Sequence, residues 1–322
     1  MVSCLEGGQI CLECSTESQI SLFLKNMIFI RFRQAIKAGF FTLFFMLMSA
    51  VLFAGQGRLV TISKFSARNV LPRRIDVWLP ENYDSTKKYC TLYFQDGEML
   101  FDSTVNYQKK NWKVDEVVAP LIRQNEIRGL IVVAVWSVNV SRKSEQFPSK
   151  FMQRIDKDIS GVIVKNDFGG NLSGDFYLKF IISELKPHID STFSTFRDQE
   201  HTFIGGRNAG ALTSLYALCE YPGTFGAALC IEPDWTGGIR TSVNNLKDPV
   251  NFYFENNCPS PANHRIFFGY SDESITGNSE LGKNIEMLFE KRGFIKKKQI
   301  KIEGSKGQFK DSLKEALVFL FD

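Results

Sequence analysis

HTFIGGRNAGALTSLYAL, residues 201–218, indicates the fold class more clearly than any other stretch of the chain. HTFIGG (201–206) has the short apolar run of a buried strand, and ALTSLYALCEYP (211–222) has the composition of a helix. Glycines 206 and 210 flank the turn between the two. A strand that passes through a tight turn directly into a helix is typical of α/β sheets, whose active crevice lies at the carboxyl ends of the strands.

The turn has the frame of a nucleophile elbow without the nucleophile. It reads Gly206-Arg207-Asn208-Ala209-Gly210, so an amide stands where G-x-S-x-G has its serine. An amide cannot form an acyl-enzyme intermediate. Two other interpretations remain open: a glycine loop that binds phosphate, although no Lys-Ser/Thr follows it, and glycines that only permit close packing of strand and helix.

Outward from this turn, strands alternate with helices. The predicted strands are 59–65, 73–80, 90–95, 130–136, 201–206, 226–233, 266–271 and 298–304, and the predicted helices are 112–124, 175–190 (stopped by Pro187), 211–222, 284–293 and 313–321. The first two strands alternate in polarity, as antiparallel edge strands do, and later ones are continuously apolar, as buried parallel strands are. We therefore predict one α/β domain over 58–322, with a mostly parallel central sheet, helices on both faces and antiparallel N-terminal strands.

The N-terminal 57 residues are predicted to lie outside that domain. AGFFTLFFMLMSAVLFAGQG (38–57) carries no charge and follows four basic residues, which is the pattern of a secretory signal peptide. The same twenty residues could instead be retained as a membrane anchor or form a buried helix. We predict an exported protein, periplasmic or extracellular, or one anchored by residues 38–57. Membrane contact is expected only through this segment.

Residues 1–26 contain three cysteines, at positions 4, 11 and 14, without a histidine. This is a weak zinc pattern, and Met27 is a plausible start of translation, so we predict no metal site and no cofactor.

Composition excludes several classes of protein. The 322 residues are 44% hydrophobic and 23% charged, unlike a disordered, collagenous or multi-span membrane protein. Lys+Arg 39 against Asp+Glu 35 gives a net charge of +4, too balanced to indicate nucleic-acid binding. The chain has only three histidines.

Several sequence blocks resemble the putative esterase family of α/β-hydrolases, which includes esterase D and enterochelin esterase. They are RRIDVWLPENYD (73–84), LYFQDGEMLFD (92–102), SRKSEQFPS (141–149), FIISELKPHIDSTF (180–193) and GALTSLYALCEYPGTFGAALCIEPDW (210–235). The second block resembles the Asp-Gly turn of the family at the end of a strand, and the third its R-x-x-E-x-x-P segment. The resemblance implies an α/β-hydrolase fold and carboxylic-ester hydrolysis from about Val70 to the C-terminus.

The resemblance also shows which catalytic residues are missing. The serine of the family falls on Asn208, its acid on Ser274 and its histidine, within two positions, on Gly307. Asp272 and Glu273 are the neighbours that could replace the acid. The three histidines, at 188, 201 and 264, all precede the region where the family has its base. We expect structural roles for them, because a base must reach the nucleophile within hydrogen-bonding distance.

A binding pocket can persist without the catalytic residues. The Asp96-Gly97-Glu98 turn and the Ala209 amide fall where the family has its oxyanion donors, and Arg207 adds a cation beside the elbow. Loops that cap this crevice in the family contribute further candidates: Trp136, Arg142, Glu145 and Trp235. The two tryptophans could equally be core residues. A small polar, anionic or sugar-like ligand fits these residue types.

We therefore predict a non-hydrolytic, ligand-binding pseudo-esterase. One alternative is an active ester hydrolase with a rerouted acid–base mechanism that uses Asp96, Glu98 or Asp272. Another is a structural interaction module. The sequence leaves the identity of the ligand and the oligomeric state open.

Overall fold

A single eight-stranded sheet organises the protein. The computed structural model describes residues 57–105, 109–240, 246–271, 280–294, 298–302 and 308–321, all within the unit that extends from residue 56 to the C-terminus. The strands are β1 Arg58–Phe65, β2 Arg73–Leu79, β3 Cys90–Gln95, β4 Leu130–Val135, β5 Thr202–Arg207, β6 Ala227–Ile231, β7 Arg265–Ser271 and β8 Lys298–Ile302. Each coincides with a predicted strand to within three residues at either end.

The order of the strands is β1-β2-β4-β3-β5-β6-β7-β8. Strand β2 runs antiparallel to both of its neighbours, and all the other pairs are parallel. The antiparallel pairing therefore lies at the N-terminal side, and the predicted α/β-hydrolase architecture is confirmed. Because β3 to β8 run in one direction, the loops that leave their carboxyl ends converge on one edge of the sheet.

Helices cover both faces of the sheet. They are α1 Val114–Arg123, α2 Arg142–Glu145, α3 Lys157–Phe168, α4 Gly174–Phe180, α5 Lys186–Thr192, α6 Ala209–Glu220, α7 Lys247–Asn257, α8 Glu280–Lys291 and α9 Gln308–Phe319. Helix α1 shows why the apolar spacing predicts them, since Val114, Val117, Val118 and Leu121 form its buried stripe. Helices α2, α3 and α7 have no counterpart in the sequence prediction.

The helix predicted to stop at Pro187 continues past it. Helix α4 passes through a π-helical turn at Ile181–Leu185 into α5, which ends at Thr192, with Pro187 in the first turn of α5. Within the π turn the Lys186 amide donates to the carbonyl of Ile181, five residues earlier. The register change places Pro187 where a missing N–H costs little, so the prediction of a stop was wrong.

The core has two parts, one on each face of the sheet. In β3 the side chains alternate between them: Leu92 and Phe94 pack on the face covered by α1 and α9, and Tyr93 packs on the face covered by α6. All six residues of β3 and of β4 are buried, as expected for central parallel strands.

No helix within the described ranges is both long and apolar enough to cross a membrane. The predicted export or anchor segment, 38–57, lies outside those ranges except for its last residue, and so does the N-terminal extension before it.

Candidate functional site

The turn between β5 and α6 has the strained backbone of a nucleophile elbow. Asn208 has φ 53° and ψ −120°, a region that residues with a Cβ rarely occupy, and its side chain is exposed. The elbow therefore presents an amide at its tip. A strained strand-to-helix turn of this kind displays the side chain at its tip, and here that side chain cannot act as a serine nucleophile.

Two glycines make the elbow possible. A Cβ on Gly206 would lie 2.5 Å from the backbone carbon of Gly210, and a Cβ on Gly210 would lie 2.8 Å from Cβ of Gln95. The same atom would be 3.6 Å from Oδ2 of Asp96. The elbow and the Asp96 turn, distant in sequence, are therefore packed against each other at the carboxyl ends of β5 and β3.

Four backbone hydrogen bonds hold Asn208 in place. Its N–H donates to the carbonyl of Ile231 at 3.1 Å. Its own carbonyl accepts from the amides of Ala211 (3.1 Å), Leu212 (3.2 Å) and Asp234 (3.1 Å). The first two come from helix α6 and the third from the loop after β6. A conformation that is costly in isolation persists because the surrounding structure fixes it from several sides.

The Asp96 turn follows β3 and is fixed by an ion pair whose carboxylate is buried and whose guanidinium is partly exposed. Asp96 has φ 56°, and its carboxylate accepts 2.7 Å hydrogen bonds from both Nε and Nη2 of Arg142. Nε2 of Gln146 donates to the same carboxylate at 2.8 Å. Gly97 has no room for a side chain, since a Cβ there would lie 2.7 Å from Ala134 and Trp136. Asp96 and Arg142, both predicted as binding residues, are thus partners of each other.

Glu98, the third residue of this turn, is half-buried. Its carboxylate accepts hydrogen bonds from the amide of Ser137, at 2.9 Å, and from the Ser137 hydroxyl. Burial and the nearby charge of Asp96 raise the pKa of Glu98, and the two hydrogen bonds oppose that rise. A carboxyl group with a raised pKa is a candidate proton donor or acceptor.

Glu145 is paired with strand β2 rather than with the Asp96 turn. It forms a bidentate ion pair with Arg73 of β2, at 2.7 and 3.0 Å, and both side chains are almost completely buried. The guanidinium of Arg73 also lies 5.1 Å from the ring of Tyr177 and 5.2 Å from that of Phe180. In this arrangement Glu145 joins helix α2 to the sheet, rather than offering its carboxylate to a ligand.

Arg207 and Glu232 form a second ion pair beside the elbow. Nε of Arg207 donates to Oε2 of Glu232 at 2.5 Å, and Nη2 lies at the same distance from that oxygen. Glu232, directly after β6, has φ 48°, a positive value like that of Asn208 after the neighbouring strand β5. The side chain of Arg207 remains 34% exposed. It is therefore a partly neutralised cation next to the elbow in sequence, and its guanidinium also lies 5.7 Å from the ring of Phe309 in helix α9.

The two tryptophans have different surroundings. Trp235 is buried and packs on Phe254 and Phe268, so it belongs to the core. Trp136 is half-buried at the end of β4, where its Nε1 donates to Oδ2 of Asp76 at 2.7 Å and the guanidinium of Arg74 lies 4.4 Å from its ring. Only Trp136 contacts the Asp96 turn.

All three histidines of the chain are described, and none lies at the elbow. Nδ1 of His201 contacts Asp198 at 2.7 Å, and both ring nitrogens of His264 contact backbone carbonyls. Both residues precede strands, at the opposite edge from the elbow. His188, in helix α5, packs edge-on against Phe65 at 5.2 Å. This chain therefore has no imidazole in reach of position 208.

Four of the predicted positions lie outside the described residues: Asp272, Glu273, Ser274 and Gly307. Ala209 is the first residue of α6, directly after the elbow. Within the described ranges no three His, Cys, Asp or Glu side chains converge as metal ligands do.

Sequence reasoning missed the residues that hold the predicted ones in place. They are Arg73, Gln146, Ser137 and Glu232, the partners of Glu145, Asp96, Glu98 and Arg207. Only Glu232 carried a usable signal, a charged residue at the end of an apolar strand, in IEP (231–233).

Two Bacillus subtilis proteins are similar to the chain. It is 25% identical to the uncharacterized protein YbbA over an alignment of 167 residues, which spans 52% of this chain and 57% of YbbA. It is 22% identical over 218 residues to the uncharacterized protein YjcH, which covers 67% of this chain and 77% of that one.

Solved structures with a similar fold include several esterases. A ferulic acid esterase superposes with a TM-score of 0.59 at 16% identity, covering 82% of this chain and 97% of the other. The enterobactin esterase from Shigella flexneri, with 2,3-dihydroxy-N-benzoyl-glycine present, gives 0.58 at 14% identity, over 81% of this chain and 59% of that one. A mutant feruloyl esterase module from Clostridium thermocellum, complexed with sinapinate, gives 0.54 at 19% identity, over 82% and 87%.

The family is shown by a match that contains both the Asp96 turn and the elbow. The model of the putative esterase family aligns with residues 70–236, which is just over half of the 322 residues. The matched region extends from β2 to the loop that follows β6 and contains the elbow, the Asp96 turn and their ion-pair partners. The chain therefore belongs to the putative esterase family.

Proposed function

We propose that this protein is a pseudo-esterase that binds a ligand in the crevice of the fold without serine-type hydrolysis. The observation that carries the proposal is Asn208, exposed at the tip of an intact elbow with φ 53° and ψ −120°. An amide has no ionisable oxygen with which to attack an ester. The positions of the three histidines support the same conclusion, because a serine placed at 208 would also lack its base.

The charges beside the elbow support an anionic or polyhydroxylated ligand. Arg142 and Arg207 each keep about a third of the side chain exposed, 37% and 34%, while the carboxylates of Asp96 and Glu232 hold the two guanidinium groups in place. A fixed guanidinium recognises carboxylates and hydroxyl groups at low entropic cost. Sinapinate and 2,3-dihydroxy-N-benzoyl-glycine, present in the similar esterase structures, are aromatic carboxylates and serve as probes of this class.

Export completes the proposal. The uncharged segment 38–57, with four basic residues in the stretch before it, supports a secreted or membrane-anchored protein. Fractionation of cells that produce the full chain would test this: we expect the protein outside the cytoplasm, and a wholly cytoplasmic protein would contradict it.

The activity test uses p-nitrophenyl acetate and a fluorophosphonate probe on the purified protein. We expect turnover no greater than in buffer and no covalent labelling. Asn208→Ser alone should also stay inactive, and Asn208→Ser combined with Gly307→His tests whether the aligned positions are correct. Turnover by the unaltered protein, or labelling of one of its serines, would contradict the proposal.

The binding test measures the shift in melting temperature with sinapinate. A bound ligand raises the melting temperature by mass action. Asn208→Trp should fill the crevice and abolish the shift. The matched control is Asn125→Trp, because Asn125 is also exposed with positive φ (57°) but lies at the amino edge of the sheet, before β4. If no compound in a panel of aromatic carboxylates and sugars shifts the melting temperature, a structural interaction module explains the protein better than a ligand-binding one.

A second candidate function is acid–base catalysis without a serine. Glu98 favours it, because a half-buried carboxyl group with a raised pKa lies on the turn beside the elbow. If the protein hydrolyses esters without covalent labelling, Glu98→Gln should remove that activity. Retained activity in Glu98→Gln would exclude this mechanism.

A further inference from the structure

We propose that Asn208 is a site of spontaneous deamidation, through a cyclic imide formed with the backbone nitrogen of Ala209. The inference goes beyond the proposed function and does not depend on it, since it concerns the elbow whether or not the crevice binds a ligand. It rests on the backbone geometry of Asn208, on the position of Ala209 and on the exposure of the asparagine side chain.

The geometry follows from the shape of the imide. Its five-membered ring contains Cα, Cβ, Cγ and the carbonyl carbon of the asparagine, together with the next backbone nitrogen. A flat ring needs a torsion near zero about Cα–C, between Cβ and that nitrogen. In an L-residue Cβ is offset from the backbone nitrogen by about 120° around this bond, so the torsion vanishes when ψ is near −120°. Asn208 has ψ −120°, a value that ordinary asparagines seldom adopt.

The attacking nitrogen is placed favourably. Ala209 is the first residue of α6, so its N–H is one of those without an acceptor inside the helix. In the described part of the chain no hydrogen bond is formed by this N–H. The positive end of the helix dipole also favours the negative charge that develops as the nitrogen loses its proton. Both features make this nitrogen a better nucleophile than an average backbone amide.

The surrounding structure holds the reactive arrangement in place. The carbonyl of Asn208 accepts three hydrogen bonds and its N–H donates one, which fixes the peptide unit that must attack. The side chain is exposed, so Cγ can rotate towards the nitrogen and water can reach the imide. The methyl group of Ala209 shields the nitrogen little. The fold thus supplies in advance an alignment that an unfolded chain reaches only rarely.

The chemistry needs only water as a co-reactant. The Ala209 nitrogen attacks Cγ of Asn208, a C–N bond forms and the bond from Cγ to Nδ2 breaks. Nδ2 leaves as ammonia, carrying the proton that the backbone nitrogen gave up. Water then opens the imide at Cγ, which yields aspartate, or at the backbone carbonyl, which yields isoaspartate. The sum is asparagine plus water giving one of these acids plus ammonia.

The experiment incubates the purified full-length protein in H₂¹⁸O at mildly alkaline pH and follows each asparagine by peptide mapping. Samples are compared folded and unfolded in guanidinium chloride. We expect Asn208 to incorporate ¹⁸O at least about tenfold faster in the folded protein, equal to about 1.4 kcal/mol of activation free energy. Asn125, exposed and also at positive φ, is the internal control and should react more slowly when folded than when unfolded.

Equal or slower reaction of Asn208 in the folded protein would overturn the proposal. So would a folded rate for Asn208 no greater than that for Asn125. Ala209→Val gives a second test, because a branched side chain crowds the attacking nitrogen and should slow ¹⁸O incorporation several-fold. Circular dichroism establishes that this variant is folded, and the comparison of folded with unfolded protein needs no variant. These outcomes are separate from the esterase and ligand assays.

Discussion

At the scale of single residues, Asn208 combines a conformational cost with an amide side chain, which cannot act as a serine nucleophile. In an active member of the family the strained turn presents a nucleophile, whereas here it presents an amide. The four backbone hydrogen bonds and the close approach of Gly206 to Gly210 still enforce the turn. The strain is therefore a property of the scaffold and persists whichever side chain is at its tip.

Replacing Asn208 by glycine should stabilise the protein. Glycine adopts φ 53° and ψ −120° without a Cβ clash, which recovers about 1–3 kcal/mol of strain. The greater freedom of glycine in the unfolded chain offsets about 0.5–1 kcal/mol of this gain. We expect Asn208→Gly to raise the free energy of unfolding by about 1 kcal/mol in urea titrations. A loss of stability would show that the asparagine side chain forms a compensating contact.

The pKa of Glu98 leads to a pH dependence with a definite sign. Burial, followed by the charge of Asp96, raises this pKa in the folded state above its unfolded value. The carboxyl group then contributes its full stability below the unfolded pKa, and that contribution is lost as pH rises through the folded pKa. We expect the unfolding free energy of the native protein, relative to that of Glu98→Gln, to fall as pH increases through this window.

Asp84 is the control with the opposite sign. The backbone and side-chain hydrogen bonds from Thr86 lower the pKa of Asp84. Its contribution is present above the unfolded pKa and is lost as pH falls through the folded one. Relative to Asp84→Asn, the native protein should therefore gain stability with increasing pH. Parallel trends for the two variants would contradict both assignments.

At the scale of residues, the sequence predicted the positions of the candidate site but not the side chains that bond to them. The frame of glycines 206 and 210 predicted the elbow, because close backbone packing demands glycine there. The R-x-x-E segment suggested two similar binding residues, Arg142 and Glu145, yet their side chains point to different partners. Arg142 bonds Asp96, and Glu145 bonds Arg73, 72 residues away. Such pairs form only when the fold brings distant strands together, so no local pattern contains them.

At the scale of elements, the Arg73–Glu145 pair fastens the short helix α2 to strand β2. Helix α2 has only four residues and cannot be stable by itself. Arg142, at its first position, reaches the Asp96 turn, while Glu145, at its last, reaches the sheet. Helix α2 therefore connects strand β2, through Glu145, to the Asp96 turn, through Arg142.

Removing the charge of Glu145 should destabilise the protein strongly. Glu145→Gln leaves the guanidinium of Arg73 buried without its counter-ion, which costs about 3–5 kcal/mol. Guanidinium chloride titrations measure the change. The control is Glu116→Gln on helix α1, where the partly exposed pairs with Lys113 and Lys310 each contribute less than about 1 kcal/mol. Similar costs for the two variants would show that the buried pair does not hold α2 in place.

The π turn between α4 and α5 marks a limit of prediction at the same scale. Proline ends most helices, so a stop at Pro187 follows from the sequence. In the structure the helical hydrogen bonding changes register at Ile181–Leu185, so that α4 continues into α5 past the proline. Ile181 and Leu185 are both buried in the core, which favours an uninterrupted helix there. Such a packing preference depends on the elements that surround the helix, so the sequence of the segment alone does not predict it.

At the scale of the whole molecule, alternating and apolar patterns predicted every strand of the described sheet, but they did not predict the order of the strands. Chain order would place β4 next to β5, whereas the sheet places β3 between them. The choice depends on which crossover helices pack on which face. Local hydrophobic patterns do not encode that choice, although they do identify the continuously buried strands as central.

The position of each strand in the sheet predicts a gradient of local stability. The residues of β3, β4 and β6 are all buried, and those of β5 are buried except its last, Arg207. Strand β1 is an edge that pairs only with β2, and its side chains are exposed or half-buried. Opening β1 uncovers little apolar surface, whereas opening a central strand disrupts both halves of the core.

We expect the amides of β3 to β6 to exchange with deuterium only through global unfolding. Those of β1 should exchange through a local opening that costs at least about 2 kcal/mol less than global unfolding. Hydrogen exchange at increasing denaturant separates the two routes, because only global opening depends steeply on denaturant. Strand β2, paired on both sides, is the matched comparison and should follow the central strands. If β1 shows the full global free energy, the N-terminal antiparallel pair is an integral part of the cooperative unit rather than its weakest edge.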